Sequence, residues 1–533
     1  MAGSSHLWRP GRRLVGAVIA AAIALLIASL LGALWIAGQR FATTGSSVTG
    51  IGDLLAMSLV QASLSTLLSI LAGIVLAWVL DRLRFPGRAL VIGMLSTALV
   101  MPALVIVSGL LAIWGRQGWA NLVLAPFGLQ TGSSIFGLGG ILAAHVILNG
   151  AFSGRIFLDR LAAIPTDKLK LGRSLGLGPI RRFAIIDLPA LGASIPGVAA
   201  TVFLLCFTSF PIVLTLGGGP ANQTFEVAIY QAVRLDFDLG AAVKLALIQL
   251  LVCAAIIIPA STLAPASTLF GARGGLHWPE KPWLSAVQSL LLLVLAAGFL
   301  APLAAVLTKG AGAMSGVLVQ PGFWRAASTS LVVGTLSALL TVALGTALGM
   351  ARALQPHGSP LRAVLGFPVF AYLAVPAVVL SLGFFLLARL TGLPPLAVAP
   401  GVLILANALL ALPFVFATLA PPLEALALRH ERVIRTLGLS SLTQWRRIEW
   451  PLLGQPIGYA LAIAFVFSLG DLGVISLFGT SEFSTLPWLM YRALGAYRTN
   501  DADAIAAILL LLSVSAFIFI PKLFDWLTNA RNR

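Results

Sequence analysis

The chain has 533 residues, of which 59% are hydrophobic and only 10% charged, whereas soluble proteins carry about 25% charged residues. That composition excludes a soluble globular enzyme and makes lipid the surrounding medium. A formal charge of +17 would suit a nucleic-acid binder, but the basic residues stand between long apolar runs and read as topology signals, so no nucleic-acid partner is expected.

The N-terminal MAGSSHLWRPGRR is basic and leads into an apolar run from Leu14 to Ile36. The run is longer than a secretory signal core and reads as a first transmembrane helix, with a cleaved signal as the other reading. Further runs of spanning length fall near 54–80, 89–114, 135–158, 191–216 and 240–260. The rest fall near 283–307, 331–351, 364–388, 396–420, 457–478 and 502–520. The expected fold class is therefore all-α, a polytopic membrane protein with twelve transmembrane helices. With the N-terminus inside, the connections 81–88, 159–190, 351–362 and 421–456 hold most of the Arg and Lys, which makes them cytoplasmic along with both termini. Cys206 and Cys253 lie inside apolar runs and read as small packed hydrophobes.

The chain is duplicated. RSLGLGPIRRFAIIDLP at 173–189 returns as RTLGLSSLTQWRRIEWP at 435–451, 262 positions later. TFEVAIYQA at 224–232 returns as TLPWLMYRA at 485–493, and Asn149 has a counterpart in Asn407. Near-constant offsets argue for two six-span halves, 1–280 with the loop 159–190 and 281–533 with the loop 421–456. An even span count gives both halves the same orientation, as in parallel repeats packed about one central path.

Each repeated loop suits a short surface helix, a glycine turn at Gly176 or Gly438, and a second short helix ahead of Pro189 or Pro451. Duplication favours docking to two copies of a cytoplasmic partner. The chain has no GxxxxGK[ST] phosphate loop, so nucleotide would be bound by separate subunits. Its two Cys and five scattered His form no metal-ligand cluster. No catalytic residue, cofactor or metal is expected. Among polar residues in the spans, Asp471 in FSLGDLGVISLFG is expensive unless paired, hydrated or protonated. At an offset of 261 it faces Phe210 in the repeat, so its charge breaks the duplication. A translocation path or gate and a buried structural pairing are both open for it. His145 and Asn149 share one face of the fourth span and, with Asn407 in the duplicate, suit either helix-packing hydrogen bonds or the translocation path or gate. Phe207 and Phe210 can stack on a substrate ring or on neighbouring helices. The outward segments 217–239 and 479–501 carry Glu226, Asp236, Asp238, Glu482, Arg492 and Arg498, which suit either docking or solvation.

The two loops resemble the coupling loop of bacterial ATP-binding-cassette importer permeases. That pattern is an EAA run, then glycine, isoleucine ten residues on and proline three further. Gly176, Ile186 and Pro189 match in the first copy, preceded by Arg173; Gly438, Ile448 and Pro451 match in the second, preceded by Arg435. The EAA run is replaced by Lys170, Leu171 and Gly172, and by Arg432, Val433 and Ile434. The stretches WGRQGW at 114–119, LTLGGGPANQTFEVAIYQAVRLDFDLGAAVKLALIQ at 214–249 and FSLGDLGVISLFG at 467–479 resemble the thiamine and thiamine-pyrophosphate importer permeases. The resemblance implies two tandem MetI-like type I importer halves of the binding-protein-dependent inner-membrane component family. It also implies two copies of an ATPase subunit, a periplasmic thiamine-binding protein, and thiamine and its phosphate esters as cargo. The fused ferric-iron permeases share the duplication and are the alternative. A proton-coupled secondary transporter would have no need of the repeated loop.

Overall fold

The computed structural model describes residues 10–41, 50–98, 101–115, 118–128, 135–260, 278, 281–356, 358–372, 375–436 and 441–529, and among them the only regular structure is helix. The first part of the chain forms α1 (Pro10–Phe41), α2 (Ile51–Arg82), α3 (Ala103–Trp114), α4 (Leu138–Ala162) and the short α5 (Thr166–Ser174). It continues with α6 (Ile195–Phe207), α7 (Phe210–Leu216), α8 (Phe225–Arg234) and α9 (Leu239–Ala260). The later part forms α10 (Pro282–Leu318), α11 (Pro321–Ala353), α12 (Ala377–Leu390), α13 (Pro395–Thr436) and α14 (Trp450–Leu469). It closes with α15 (Gly473–Phe478), α16 (Leu486–Gly495) and α17 (Thr499–Asn529).

Among the described residues ten helices are long and apolar enough to cross a bilayer, and a pair bent by 59°, Pro179–Gly192 with α6, makes an eleventh if it counts as one span. The runs near 89–114 and 364–388 are each interrupted. Arg88–Ala98 precedes α3, and Pro360–Ala371 precedes α12. Pro102 caps α3 and Pro376 caps α12. A proline disfavours the helical region for the residue before it and has no N–H for the ladder, so Met101 and Val375 are not helical. The 14 residues of α12 fall short of the ~20 that span a hydrocarbon core.

The chain packs as two compact units. One comprises Ser46–Ala327 and Ser484–Leu511. Here α2 lies along α4, and α6 packs on α2. Lipid supplies no hydrophobic drive between helices, so close backbone approach has to hold them. Gly73 provides it: a Cβ there would collide with Ser153 and Gly154 of α4. In the same unit α10 packs on α2 and α3, and Phe157, Phe207, Phe210 and Phe225 are fully buried.

The other unit comprises Met1–Gly45, Ser328–Phe483 and Leu512–Arg533. Its core is the α13–α14 seam, where Ala411, Val415 and Leu419 meet Leu453, Ile457 and Ala460. Helix α1 packs on α12 and on Pro360–Ala371. Each unit thus takes a long helix from the opposite half of the sequence: α10 joins the first and α1 the second.

Candidate functional site

The first repeated loop is built around two glycines. Helix α5 ends in a Schellman turn, with the Leu177 amide donating to the Gly172 carbonyl and the Gly176 amide to the Arg173 carbonyl, both at 3.1 Å. Gly176 takes φ 65°, the left-handed conformation that side chains disfavour, and nothing lies within 4 Å of where its Cβ would be. The chain then turns through Pro179–Arg182, one turn of π-helix at Phe183–Asp187 and the short helix Leu188–Gly192. Ile186 sits over Gly172, where a Cβ would crowd its methyl. The ten-residue step from Gly176 to Ile186 therefore returns an apolar side chain onto the helix before the turn. Arg173, Gly176 and Pro189 face outward and Ile186 is half-buried. Around them Leu171, Leu175, Ile180 and Ile185 are exposed, Ile180 at 86%. That is an apolar, basic-flanked surface suited to a protein partner.

In the second copy, α13 carries the backbone of Arg435 and ends at Thr436, and Gly438 lies outside the described residues. Beyond it the chain repeats the π-helical turn at Trp445–Glu449, 262 positions after Phe183–Asp187. Ile448 and Pro451 are half-buried. The sequence reading passed over one position in each copy. The acid two residues before the proline, Asp187 and Glu449, is buried in both, and each accepts from an arginine of a distant helix. Its signal was available in the offset of 262, which aligns the two acids.

The polar residues of the spans are taken up within the units. His145 Nδ1 is 2.9 Å from both Gln61 Nε2 and Ser65 Oγ on α2. One turn along α4, Asn149 donates to Cys206 Sγ on α6 at 3.3 Å. The duplicate repeats this contact, with Asn407 of α13 donating to Ser468 Oγ of α14 at 2.9 Å. Phe207 packs against Phe203 and Phe225, and Phe210 meets the Tyr230 ring edge-on at 5.3 Å. Asp471 lies at the break between α14 and α15, half-buried, with both oxygens 3.2 Å from the Val474 amide. The matching break between α6 and α7 holds Ser209. Counted from the ends of the first helices, Phe207 and Leu469, Asp471 aligns with Ser209 rather than Phe210: each break holds a polar residue, and only one is charged.

The repeated segments at 224–232 and 485–493 form α8 and α16, preceded by Thr224 and Thr485. Within one unit these helices meet. Tyr230 and Tyr491 share a hydrogen bond, and burial, together with the Tyr230 hydroxyl, raises the Tyr491 phenol above its ordinary range. The Arg234 guanidinium lies 5.6 Å from the Trp488 ring centre. Among the described residues no group of His, Cys, Asp and Glu could hold a metal ion.

No family model matches the chain. Curated relatives do. The thiamine transport system permease protein ThiP of Escherichia coli (strain K12) is 37% identical over 511 residues, 94% of each chain. Its namesake in Haemophilus influenzae is 35% identical over 89% of this chain and 88% of its own. A sulfate transport system permease, CysT of Synechococcus elongatus, is 28% identical over 45% of this chain and 84% of its own length. Most of that permease thus corresponds to less than half of this one. With two repeated loops, spanning helices throughout and likeness along almost its whole length, the chain belongs to the family of thiamine transport system permeases, multi-pass inner-membrane subunits of ATP-binding-cassette importers.

Proposed function

We propose that the protein moves thiamine and its phosphate esters into the cell. ATP hydrolysis on two partner subunits, docked on the cytoplasmic loops 159–190 and 421–456, drives the transfer, and a periplasmic binding protein delivers the cargo. The observation that carries this reading is the reach of the similarity: 94% of both chains in the Escherichia coli relative, so it takes in both repeated loops and the span breaks. Twelve crossings in two six-helix halves, with both termini inside, complete the arrangement. Two features support it. The duplicated helices α8 and α16 touch through their equivalent tyrosines. Each is also followed, within three residues of its end, by a left-handed aromatic residue, Phe237 (φ 55°) and Tyr497 (φ 58°). Equivalent residues of a repeat meet only on the axis relating its halves, which is where a shared path would run. A nucleotide-driven partner changes the balance between inward and outward openings by binding them unequally.

The test is uptake of radiolabelled thiamine by bacteria lacking their own importer and thiamine synthesis, supplied with this permease, its ATPase and its binding protein. ATP-dependent uptake that disappears when any one component is omitted is expected. Uptake of labelled ferric iron in place of thiamine would keep the importer and overturn the cargo.

A further inference from the structure

The two coupling loops are alike at their π-helical turns but are held differently. Both place a carboxylate at the last residue of the π-helical turn, two residues before the proline, and both bury it: Asp187 at 0% and Glu449 at 1% exposure. The arginines that meet them are not equivalent. Asp187 pairs with Arg82, the last residue of α2, which also lies 3.0 Å from Asp81. Glu449 is gripped bidentately by Arg12 in the first turn of α1, at 2.6 and 3.0 Å, and also accepts from Gln444. Arg13 beside it donates to the Leu354 carbonyl at 3.1 Å, and Gly16 lies against Ala351, so the start of α1 is seated along the end of α11.

A buried carboxylate stripped of its cation is left uncompensated, and a bidentate arginine fixes direction as well as distance. Each pair therefore fastens the end of its loop to the helix that supplies the arginine. The helices behind the pairs differ. Helix α2 packs on α4 and α6, whereas α1 packs on α12 and Pro360–Ala371.

We propose that Arg82–Asp187 and Arg12–Glu449 are positioning pairs that tie the first coupling loop to α2 and the second to α1, making the two ATPase docking sites separately addressable. The proposal rests on reading the loops as docking sites for a nucleotide-hydrolysing partner. A displacement of the first loop is passed to the α2–α4–α6 bundle, and one of the second to α1 and the helices beneath it. Helix α1 is thereby a working part of the second docking site rather than a membrane anchor.

The experiment uses the full complex of permease, ATPase and binding protein in lipid nanodiscs. Ala184→Cys and Arg446→Cys, equivalent exposed positions 262 apart, serve as reporters of cross-linking between each loop and the ATPase. Arg12→Gln or Glu449→Gln should lower cross-linking at the second reporter by about 10-fold and leave the first within about 2-fold, since the two pairs belong to separate compact units and residues outside one network act independently. Arg82→Gln or Asp187→Asn should do the reverse. The exchange Arg12→Glu with Glu449→Arg should recover the second reporter, while Arg12→Glu with Asp187→Arg should not. Equal loss at both reporters would mean that the pairs hold the whole fold, and no loss at either that they hold nothing; each overturns the proposal. Unmodified protein that cross-links at neither reporter would instead remove the docking reading, and the proposal with it.

Discussion

At the level of single residues, Asp471 accepts a hydrogen bond at a helix start and carries a charge, two properties that substitution separates. Its oxygens accept from the Val474 amide, which opens α15, and among the described residues it has no basic partner within 4 Å. Asparagine keeps an acceptor for that amide and loses the charge; alanine loses both. The thiazolium of thiamine is a permanent cation, so for the cargo proposed above the charge of Asp471 is the property that transport would read. Asp471→Asn should leave the melting temperature in detergent close to the parent and lower thiamine uptake by about 10-fold, the factor carried by a contact of ~1.4 kcal/mol. Asp471→Ala should add a stability loss of about 1 kcal/mol from the missing cap. Full uptake by the asparagine variant would assign Asp471 to folding alone. The His145, Asn149 and Asn407 contacts weigh toward helix packing, because each polar group meets a neighbouring helix inside its own unit.

Among the elements, the first repeated loop explains its own spacing. Gly176 is needed for a left-handed turn, and Ile186 folds back over Gly172. The space around Gly176 is open, so a substitution there acts through backbone strain and through whatever docks outside. Valine in the left-handed region should cost about 1–2 kcal/mol, and asparagine much less because its short polar side chain tolerates that conformation. Gly176→Asn is expected to support uptake near the parental rate. Gly176→Val should melt earlier, and Gly176→Trp should lose uptake without melting earlier than valine, because its added bulk projects only into the open space where the proposed partner docks. A tryptophan variant with full transport would take Gly176 out of the docking surface.

On the scale of the whole molecule, the exchange of long helices between sequence halves has a direct consequence. The unit holding Ser328–Phe483 lacks α1 when 281–533 is made alone, and the unit holding Ser46–Ala327 lacks Ser484–Leu511 when 1–280 is made alone. Removing α1 also strands Glu449, and a buried charge without its partner is destabilising by about 3–5 kcal/mol. Residues 1–280 and 281–533 expressed separately should each be degraded or aggregate, and expressed together should co-purify and restore uptake. A half that stands alone as a monodisperse, protease-resistant protein would contradict this.

Composition and periodicity alone determined that this is an all-helical membrane chain, because ~20 apolar residues in a row have one stable outcome in lipid. The offset of 262 determined the duplication and located the loops, since a repeat is legible without coordinates. Hydropathy could not see that the runs at 89–114 and 364–388 are interrupted, because Pro102 and Pro376 barely change a window average; only MPAL at 101–104 beside VPAV at 375–378 carried the sign. It could not tell which helices share a unit, since α1 and α10 are apolar on every side and packing in lipid depends on close surface fit rather than on hydrophobicity. Nor could it assign Arg12 and Arg82 to their carboxylates. Arginines 437 and 105 positions from Glu449 and Asp187 become their neighbours only when the tertiary structure brings the helix ends to the loops.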